Sequence, residues 1–405
     1  MSTVLRFYAT TAKGLEPLLA RELSEQGARA TAVERAGVAF EGSLDVAYRV
    51  CLWSRVANRV LLPVATVAAS TAAALYDGVR SVAWAEHIDP RGTIAVDCAG
   101  ARAAIAHTHY AALKTKDAIV DQLREAHGCR PSVQLEHPDV RINVYLDGDR
   151  ALLSIDLSGE SLHRRRYRMA TGRAPLKETL AAGALLLADW PQAARGGAAL
   201  VDPMCGSGTL VIEGALMALN IAPARGRAHF GFLGWRGHRP AVWRQVLQQA
   251  TDAELRDPRR WPVIHGYDAD RSMVRAALAN VERAGLRGRV HIERRDLSEC
   301  QPVGGRTGAA VPGLVVTNPP YGTRLGRRDE LLALYGRLGD VLRRRFMGWR
   351  AFVLTGDRTL ANGIGLRAAR RHVLYNGAIE CRLLEFPIAS TPARMPHGPR
   401  WRLAR

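Results

Sequence analysis

The fold is decided by one stretch, AALVDPMCGSGTLVIEGALMALN, which runs from Ala198 to Asn220. A short apolar run ends at Asp202, a glycine-rich turn follows, and an apolar segment of helical length comes next, which is the order of a βα unit. The alternation recurs downstream, as PVIHGYD then RSMVRAALANVERAG, GLVVTN then ELLALYGRLGDVLRRRF, and finally RAFVLTG. Strands alternating with helices predict an α/β, doubly wound, Rossmann-like parallel sheet.

The end of this region departs from the alternation. RRHVLYNGAIECRLLEFPI contains two strand-like runs joined by Asn376-Gly377, which we interpret as a type I′ hairpin. An open parallel sheet that finishes in an antiparallel hairpin is the architecture of the class I S-adenosylmethionine-dependent methyltransferases. We therefore predict a domain of this kind over residues 176–390.

The first part of the chain has an α+β pattern. Leucines of AKGLEPLLARELSEQG share one helical face, and strand-like ATAVER and GVAFEG follow. Further on come a helix, LKTKDAIVDQLREAHG, and a hairpin that turns at Asp147-Gly148 and alternates apolar residues at Ile142, Val144, Leu146, Leu153, Ile155 and Leu157. We predict domains over 1–65 and 66–158, a linker over 159–175, and a basic, disordered tail over 391–405.

Composition indicates a globular protein with a polyanionic partner. Hydrophobic residues make up 47% of the 405 residues, which is enough for two or three packed domains. The formal charge is +19, of which +17 falls in residues 173–405 and only +2 in residues 1–172. Only four of the 57 basic residues are lysines, and genomic base composition is an alternative explanation of such an arginine bias. The charge therefore favours nucleic acid without proving it.

Several classes of site and location are disfavoured. No apolar run has the roughly 18 residues needed to cross a bilayer, and the N-terminal residues lack the apolar core of a signal peptide, so we expect a cytoplasmic protein. The six cysteines form no C-x-x-C pair and have no histidine at ligand spacing. We predict reduced thiols and no metal site.

The glycine-rich turn is a candidate cofactor loop. Gly206 and Gly208 allow the backbone to approach a ligand at a helix N-terminus, where free N–H groups suit a phosphate or a carboxylate. A third glycine at dinucleotide spacing is missing, because Val211 stands there. Asp202 could face an ammonium group, and the predicted cofactor contacts of this segment are Asp202, Met204, Cys205, Gly206, Gly208 and Thr209.

Two further acids follow the next strands. Asp268 ends VIHGYD and could accept both hydroxyls of a ribose, whereas Asp270 is expected to cap the following helix. Asp296, followed by Leu297, ends the third strand and could accept from an adenine amine. Each acid alone is equally explained as a helix cap. Acids at three consecutive strand ends, on the edge where open α/β sheets bind ligands, predict a nucleoside-containing cofactor, S-adenosylmethionine.

The fourth strand runs into Asn318-Pro319-Pro320-Tyr321, the predicted catalytic residues. Two prolines make a stiff turn that leaves the sheet. The Asn318 side-chain oxygen and the Pro319 carbonyl can then accept hydrogen bonds from the two N–H groups of a planar amine. Tyr321 can stack on the ring that carries this amine. A cytosine-C5 enzyme would need a cysteine nucleophile here, and none is present. The motif by itself fits adenine, cytosine, guanine or glutamine amines equally.

These motifs together resemble one family along nearly the whole chain. LVDPMCGSGTLVIEGALMALNIAP, GYDADRSMVRAALANVERAGL, TNPPYGTRLG, RPSVQLEHPDVRINVYLDGDRALLSIDLSGESLHRR and APLKETLAAGALLLADW are similar to bacterial THUMP-domain 23S rRNA guanine-N2 methyltransferases. The resemblance implies a ferredoxin-like domain, a THUMP RNA-binding domain and a methyltransferase domain that makes N2-methylguanosine. Because the sequence stops at Arg405, we expect a stand-alone enzyme, without the second module fused in some relatives. The family linker usually has a glycine where Arg166 stands, which questions a positive φ there.

Candidate RNA contacts are less specific. Lys114 and Lys116 on the THUMP helix and Arg164, Arg165 and Arg166 in the linker could bind phosphates, although a solvated helix face is as good an explanation of the lysines. The aromatic rings of the Arg225–Trp243 insertion are expected to pack against the sheet. A tRNA guanine-N2 methyltransferase is the alternative to the rRNA enzyme, and a non-catalytic RNA-binding protein is a third reading.

Overall fold

The computed structural model describes residues 3–101, 104–168, 176–305, 312–322 and 327–390. The N-terminal part runs β1 (Leu5–Thr11), α1 (Glu16–Glu25), β2 (Arg29–Glu34), β3 (Gly37–Gly42), α2 (Leu44–Trp53) and β4 (Ala57–Ala68). It continues with α3 (Ala72–Arg80), β5 (Thr93–Ala101), α4 (Thr108–His127), β6 (Ser132–Val133), β7 (Val140–Asp147) and β8 (Arg150–Asp156).

These strands form one mixed sheet in the order β2-β3-β1-β4-β8-β7-β5-β6. The long strand β4 pairs antiparallel with β1 on one side and with β8 on the other. The boundary predicted between residues 65 and 66 therefore falls inside a continuous strand. The two N-terminal units share a backbone ladder, so they are joined more tightly than a flexible connection would allow.

The second part contains α5 (Glu178–Leu187), α6 (Trp190–Arg195), β9 (Leu200–Asp202), α7 (Thr209–Ala218), α8 (Pro240–Asp252), β10 (Ile264–Asp268), α9 (Arg271–Arg283) and β11 (His291–Arg294). It ends with β12 (Leu314–Thr317), α10 (Arg328–Arg345), β13 (Arg350–Thr355), α11 (Arg358–Gly363), β14 (Arg370–Asn376) and β15 (Ile379–Pro387). Its seven-stranded sheet has the order β11-β10-β9-β12-β13-β15-β14. The first five strands are parallel and β15 and β14 are antiparallel, as predicted.

Apolar patterning explains why these elements form. Every alternating position predicted to face inward in the β7–β8 hairpin is fully buried. Helices α5 and α7 are strongly apolar and almost entirely buried. They pack against each other, and α7 also contacts α6 and β9. Each large side chain buried in this way contributes about 1.5–3 kcal/mol. In the described ranges, no helix combines the length and apolar character needed to cross a membrane.

Both predicted hairpins form, but each turn begins one residue later than predicted. Asp147 pairs with Arg150 and Asn376 pairs with Ile379, so the two-residue loops are 148–149 and 377–378. The glycine of each loop has a positive φ, 58° at Gly148 and 66° at Gly377, whereas the residue after it does not. A type I′ turn needs positive φ at both loop positions, so the type I′ assignment is wrong.

The segment predicted to be a linker is packed where the structure describes it. Leu162 and Tyr167 are buried, and Arg166 has a φ of 69°, so the positive-φ turn persists without the glycine usual in the family. The rings of Phe230, Phe232, Trp235 and Trp243 in the insertion are buried too, and the last three contact Tyr48 of α2 or His87 in the N-terminal part. Residues 169–175 of the linker and the predicted tail, 391–405, lie outside the described residues.

Candidate active site

A cleft of about 980 Å³ opens at the carboxyl ends of the strands of the second sheet. Its walls come from the loops after β9, β10, β11, β12 and β13 and from the tip of the β14–β15 hairpin. This is the edge at which open α/β sheets bind ligands, and the volume suits a nucleoside-sized molecule together with a second ring. The cleft therefore brings together residues that are as much as 203 positions apart, from Leu176 to Ile379.

The glycine loop is a rigid turn at the start of α7. Gly206 and Gly208 have φ of 53° and 85°, values that other residues adopt only with strain. The Cys205 N–H donates to the Tyr267 carbonyl at 2.8 Å, and the Asn280 side-chain amide donates to the Ser207 carbonyl at 2.9 Å. The loop is thus held from β10 and α9, and a Cβ placed on Gly206 would meet no atom within 4 Å.

Asp202 ends β9 beneath this loop. Its carboxylate is buried, with a relative exposure of 1%, and its Oδ1 accepts the Met204 N–H at 3.1 Å. Burial raises the pKa of Asp202 to about 7. Because burial penalises the charged form, a cation entering the cleft would favour ionisation of this group. Facing an ammonium stays a prediction for Asp202.

Asp268 ties the second strand end to the glycine loop. Its Oδ2 accepts the Gly206 N–H at 2.9 Å, and its Oδ1 accepts the Asp270 N–H at 2.9 Å. Burial raises the pKa of Asp268 above its usual value. Asp270 caps α9 through the Ser272 N–H, as expected. Asp268 lines the cleft with its side chain already oriented, which suits the predicted contact with ribose hydroxyls.

Asp296 acts as a cap and lines the cleft as well. Its Oδ1 accepts the N–H of Ser298 at 2.9 Å and the Ser298 hydroxyl at 2.6 Å, and this hydroxyl contact lowers the pKa of Asp296. Leu297 beside it is buried and presents an apolar surface to the cleft. The two explanations weighed from the sequence, helix cap and cleft residue, are therefore compatible at this position.

The catalytic candidates lie at the end of β12. The Asn318 Oδ1 atom is buried and has no hydrogen-bond partner among the described residues. A buried polar atom without a partner is costly, about 1–3 kcal/mol, and calls for an explanation. Pro319, Pro320 and Tyr321 line the same cleft. The free energy cost of the unpaired Asn318 oxygen is explained if this atom accepts a hydrogen bond from a ligand in the cleft.

Tyr321 is fixed by contacts with the neighbouring strands. Its hydroxyl lies 3.4 Å from the Cys381 Sγ on β15, and its ring lies so close to the backbone of Gly356 that a Cβ there would be 2.8 Å from the ring. The ring is therefore a partly exposed apolar plate of fixed orientation. This arrangement suits the stacking role expected for Tyr321, and that role stays a prediction.

The linker arginines divide into two kinds. Arg165 is buried, and its guanidinium donates to the carbonyls of Leu162 at 2.7 Å and Arg55 at 2.6 Å. It cannot reach a phosphate from this position, so its assignment to RNA binding is wrong. Arg164 is exposed, and Arg166 is exposed and pairs with Glu160 at 2.9 Å. These two arginines keep the predicted role as a prediction.

The lysines of α4 are partly exposed. The Lys114 Nζ lies 5.8 Å from the centroid of the Tyr110 ring, and Lys116 pairs with the neighbouring Asp117. Neither contact buries the ammonium group, and both lysines stay candidates for phosphate contacts. No group of three potential metal ligands occurs in the parts of the chain that the structure describes.

Sequence reasoning missed part of the cleft. Residues from β13 and from the hairpin line it beside Tyr321, namely Gly356, Asp357, Asn376 and Ile379. On the other side it is also lined by Leu176, Pro203, Ser207, Leu210, Ala269, Asp270, Met273, Leu334 and Arg337. A signal was available for Asp357, because it follows the apolar run AFVLTG as the other acids follow their strands.

Three family models match successive parts of the chain. They are an RlmL ferredoxin-like domain over residues 6–61, a THUMP domain over 69–156, and an RMKL-like methyltransferase domain over 165–385. Two curated relatives are named ribosomal RNA large subunit methyltransferase K/L. The relative from Methylococcus capsulatus is 54% identical over 95% of this chain and 51% of its own length, and that from Syntrophotalea carbinolica is 51% identical over 96% and 54%. The chain thus spans about half the length of these relatives.

Solved structures match the whole architecture. The protein SMU.472, solved in complex with SAH, superimposes with a TM-score of 0.84 at 29% identity and covers 96% of this chain and 99% of its own. A Listeria monocytogenes protein named a "predicted N6-adenine-specific DNA methylase" gives a TM-score of 0.81 at 30% identity, covering 95% of this chain and 96% of its own. These matches confirm the family resemblance and the fold class expected from the sequence.

Proposed function

Because the chain belongs to the RMKL-like methyltransferase family, we propose that it transfers a methyl group from S-adenosylmethionine to the exocyclic N2 amine of a guanine in 23S rRNA. One observation carries the proposal. A buried, unpartnered acceptor, Asn318 Oδ1, lies at the end of β12, next to the strand that leads into a glycine loop. The names of the curated relatives and the THUMP match support RNA as the substrate.

The first half of the cleft fits S-adenosylmethionine. This cofactor supplies a methyl group on a positively charged sulfur, which an amine can attack directly. The free N–H groups at the start of α7 suit its carboxylate, and Asp268 suits its ribose hydroxyls. Asp296 and Leu297 offer an acceptor and an apolar surface to an adenine ring. Asp202 in its ionised form favours the cationic end.

The second half of the cleft holds the acceptor amine. The exocyclic amine of a base is a weak nucleophile because its lone pair is delocalised into the ring. Asn318 Oδ1 and the Pro319 carbonyl each accept a hydrogen bond from one N–H group of the amine. These two contacts orient the nitrogen lone pair, while Tyr321 stacks on the base. The nitrogen loses its extra proton readily after transfer, so no dedicated base is required. Holding two reactants in line in this way can contribute roughly 7–11 kcal/mol.

RNA capture belongs to the rest of the chain. A base paired within a duplex cannot reach this cleft, so the enzyme takes a flipped or loop guanine and offsets a few kcal/mol of lost stacking. Phosphate contacts to the THUMP unit and to the basic methyltransferase domain supply that energy. The choice of rRNA over tRNA rests on the names of the relatives, and an rRNA substrate would place the chain in the cytoplasm.

Nucleoside mapping in cells tests this function. N2-methylguanosine is quantified by mass spectrometry in rRNA and tRNA from a strain that lacks the gene and from the same strain carrying the wild-type chain or its Asn318→Ala variant. We expect one N2-methylguanosine in 23S rRNA to disappear and to return only with the wild-type chain. Loss confined to tRNA would support the tRNA alternative, and no loss in either RNA would overturn the proposal.

A further inference from the structure

The acceptor half of the cleft, formed around Asn318–Tyr321, also contains the carboxylate of Asp357. The proposed methyl transfer does not use this group. Strands β12 and β13 are parallel neighbours in which Thr317 pairs with Val353, so Asn318–Tyr321 and Gly356-Asp357 follow them at the same edge of the sheet. The Tyr321 ring lies against the Gly356 backbone, and Asp357 lines the cleft immediately after it. Asp357 is therefore next to the plate on which the target base is proposed to stack.

The Asp357 side chain is fixed and has one free oxygen. Its Oδ1 accepts the N–H groups of Thr359 at 2.7 Å and Leu360 at 3.0 Å, which caps α11. Its Oδ2 has no donor within hydrogen-bond distance among the described residues, and the residue is only partly buried. The cap holds the rotamer, because two backbone donors define the position of Oδ1. Oδ2 is thereby held as an acceptor.

The other carboxylates of the cleft have other tasks and lie on the cofactor side, where Asp270 caps α9. Asp202 is buried below the glycine loop, Asp268 accepts from Gly206 and Asp270, and Asp296 caps the turn that begins at Leu297. These three acids follow β9, β10 and β11, whereas Asp357 follows β13 on the far side of β12. Among the cleft residues that the structure describes, Asp357 is the carboxylate of the acceptor half.

A third acceptor beside Asn318 and Pro319 distinguishes the bases. In guanine two ring nitrogens flank the exocyclic amine, and one of them, N1, carries a hydrogen, whereas the other, N3, carries a lone pair. In adenine and cytosine the ring nitrogen next to the amine, N1 or N3, carries a lone pair instead. The acceptors on Asn318 and Pro319 fit all three amines equally well, but a fixed carboxylate oxygen attracts only the guanine edge and repels the other two.

We infer that Asp357 Oδ2 accepts the N1–H of the target guanine and selects guanine over adenine and cytosine. The inference rests on the proposed function and names the residue that gives the site its base preference. Asp357 leaves the methyl donor untouched. Its loss therefore affects the RNA substrate while cofactor affinity is retained.

The Asp357→Asn variant tests this assignment. Asparagine retains an oxygen to cap α11 and is as good a cap as aspartate, but it places an NH₂ donor where Oδ2 was. The probe is an unmodified transcript of bacterial 23S rRNA, with S-adenosylmethionine as the methyl donor, and methylated nucleosides are counted by mass spectrometry. We expect kcat/KM for N2-methylguanosine to fall roughly 10–100-fold, because the amide donor opposes N1–H. The Kd for S-adenosylmethionine and the Tm should be unchanged.

A matched control makes the same chemical change in the other half of the cleft. Asp296→Asn also alters an N-capping carboxylate that lines the cleft. We expect it to weaken S-adenosylmethionine binding while N2-methylguanosine stays the product. If Asp357→Asn lowers the Tm, Asp357→Ser, which retains a capping oxygen without the carboxylate, takes its place and should show the same loss.

The outcomes separate the inference from the function beneath it. A wild-type chain that makes no N2-methylguanosine, or makes N6-methyladenosine, overturns the proposed function and the inference with it. A wild-type chain that makes N2-methylguanosine, together with an Asp357→Asn or Asp357→Ser variant whose kcat/KM stays within threefold, overturns the inference alone. Weakened S-adenosylmethionine binding in a folded Asp357 variant would likewise contradict it, because the residue would then belong to the cofactor half.

Discussion

Asn318 is the residue on which the proposed chemistry depends most. Its Oδ1 is buried and unpartnered among the described residues, so its acceptor positions are free for the amine that we propose. We predict that Asn318→Ala lowers kcat for methyl transfer at least 100-fold and changes the Kd for S-adenosylmethionine less than threefold, since the amide acts on the acceptor. Single-turnover kinetics and calorimetry measure the two quantities.

A conservative variant separates catalysis from packing at this position. Asn318→Asp keeps an acceptor oxygen at the same place and should retain more activity than Asn318→Ala. Equal activity in the wild type and the alanine variant would remove Asn318 from the proposed mechanism. A loss of cofactor affinity that parallels the loss of turnover would instead assign Asn318 to cofactor binding.

The raised pKa of Asp202 leads us to predict that the stability of the fold depends on pH. Burial raises its pKa from 3.8 to about 7, so the folded apoprotein binds more protons at this site than the unfolded chain between about pH 4 and pH 7. Stability contributed by the protonated acid is fully present below pH 4 and is lost as the pH rises through 7. The full difference is on the order of 4 kcal/mol, since one pKa unit corresponds to about 1.36 kcal/mol.

The comparison with Asp202→Asn isolates this effect from other titrating groups. Urea denaturation of the apoproteins at pH 5 and pH 8 should show that the wild type loses more stability than the variant as the pH rises. Parallel losses in the two proteins would mean that Asp202 titrates near its ordinary value in the fold. S-adenosylmethionine should bind the wild type more tightly at pH 8 than at pH 6, because the cation favours the ionised carboxylate.

Most of the cleft residues predicted from the sequence could be found because their signals are local. Acids directly after apolar strands, a glycine pair before a helix and the Asn-Pro-Pro-Tyr run are read within a few positions each. Arg165 could not be assigned correctly, because its burial depends on carbonyl groups that tertiary packing brings from Arg55. Asp357 carried a local signal as an acid after an apolar strand, but only the adjacency of β12 and β13 places it beside Tyr321.

At the level of elements, the described part of the linker is bound to α7, the helix that follows the cofactor loop. Tyr167 donates to Glu213 on α7 at 3.0 Å, and the Arg165 guanidinium lies 3.7 Å from the same carboxylate. Arg168 adds a hydrogen bond of 2.7 Å to the Thr209 hydroxyl, at the first residue of the helix. Burial raises the pKa of Glu213, and the nearby Arg165 and Arg55 cations oppose this rise.

Removing the buried cation should destabilise the fold strongly. We predict that Arg165→Ala lowers the free energy of unfolding by about 3–5 kcal/mol, because it removes the larger of two cationic interactions with the buried Glu213 carboxylate and leaves Arg55 as the other. Arg164→Ala, one position away and exposed, should change it by less than about 0.5 kcal/mol. Urea denaturation of both variants measures this. Similar small effects in the two proteins would show that Arg165 is hydrated in solution.

Element types followed from periodicity, whereas turn registers did not. The alternating apolar residues of β7 and β8 fixed which face is buried, and that pattern survives a one-residue shift of the turn. The turn itself depends on which loop residue takes the positive φ, and glycine took the first position at Gly148 and Gly377. The sequence also did not predict that β4 continues across the two N-terminal units. Its pairing with β1 and β8 involves residues far apart in the sequence, which leave no local pattern.

At the scale of the molecule, the N-terminal units contact the methyltransferase domain close to the cleft. Lys13 donates to the Tyr375 hydroxyl at 3.2 Å, on the hairpin whose tip lines the cleft. Leu15 packs against Gly183 of α5, where a Cβ would lie 2.6 Å from its side chain. RNA bound to the N-terminal units is therefore held at a defined position relative to the cleft.

RNA affinity should depend steeply on salt. With +17 of the charge in residues 173–405, binding to phosphates releases counterions, so log K falls with log salt. We predict that the Arg164→Ala/Arg166→Ala double variant has a slope shallower by about one to two, and that its affinity for S-adenosylmethionine is unchanged. Filter binding of a 23S rRNA transcript at several salt concentrations measures the slopes. Indistinguishable slopes would assign RNA binding to other surfaces.

The central claim, that this cleft methylates the N2 amine of guanine in 23S rRNA, is tested most directly by the identity of the product. The purified chain is incubated with an unmodified 23S rRNA transcript and isotopically labelled S-adenosylmethionine, and all labelled nucleosides are identified by mass spectrometry. We expect N2-methylguanosine to be the labelled nucleoside and to be absent with Asn318→Ala. Label in N6-methyladenosine or a methylcytidine, or undiminished label with Asn318→Ala, would contradict it.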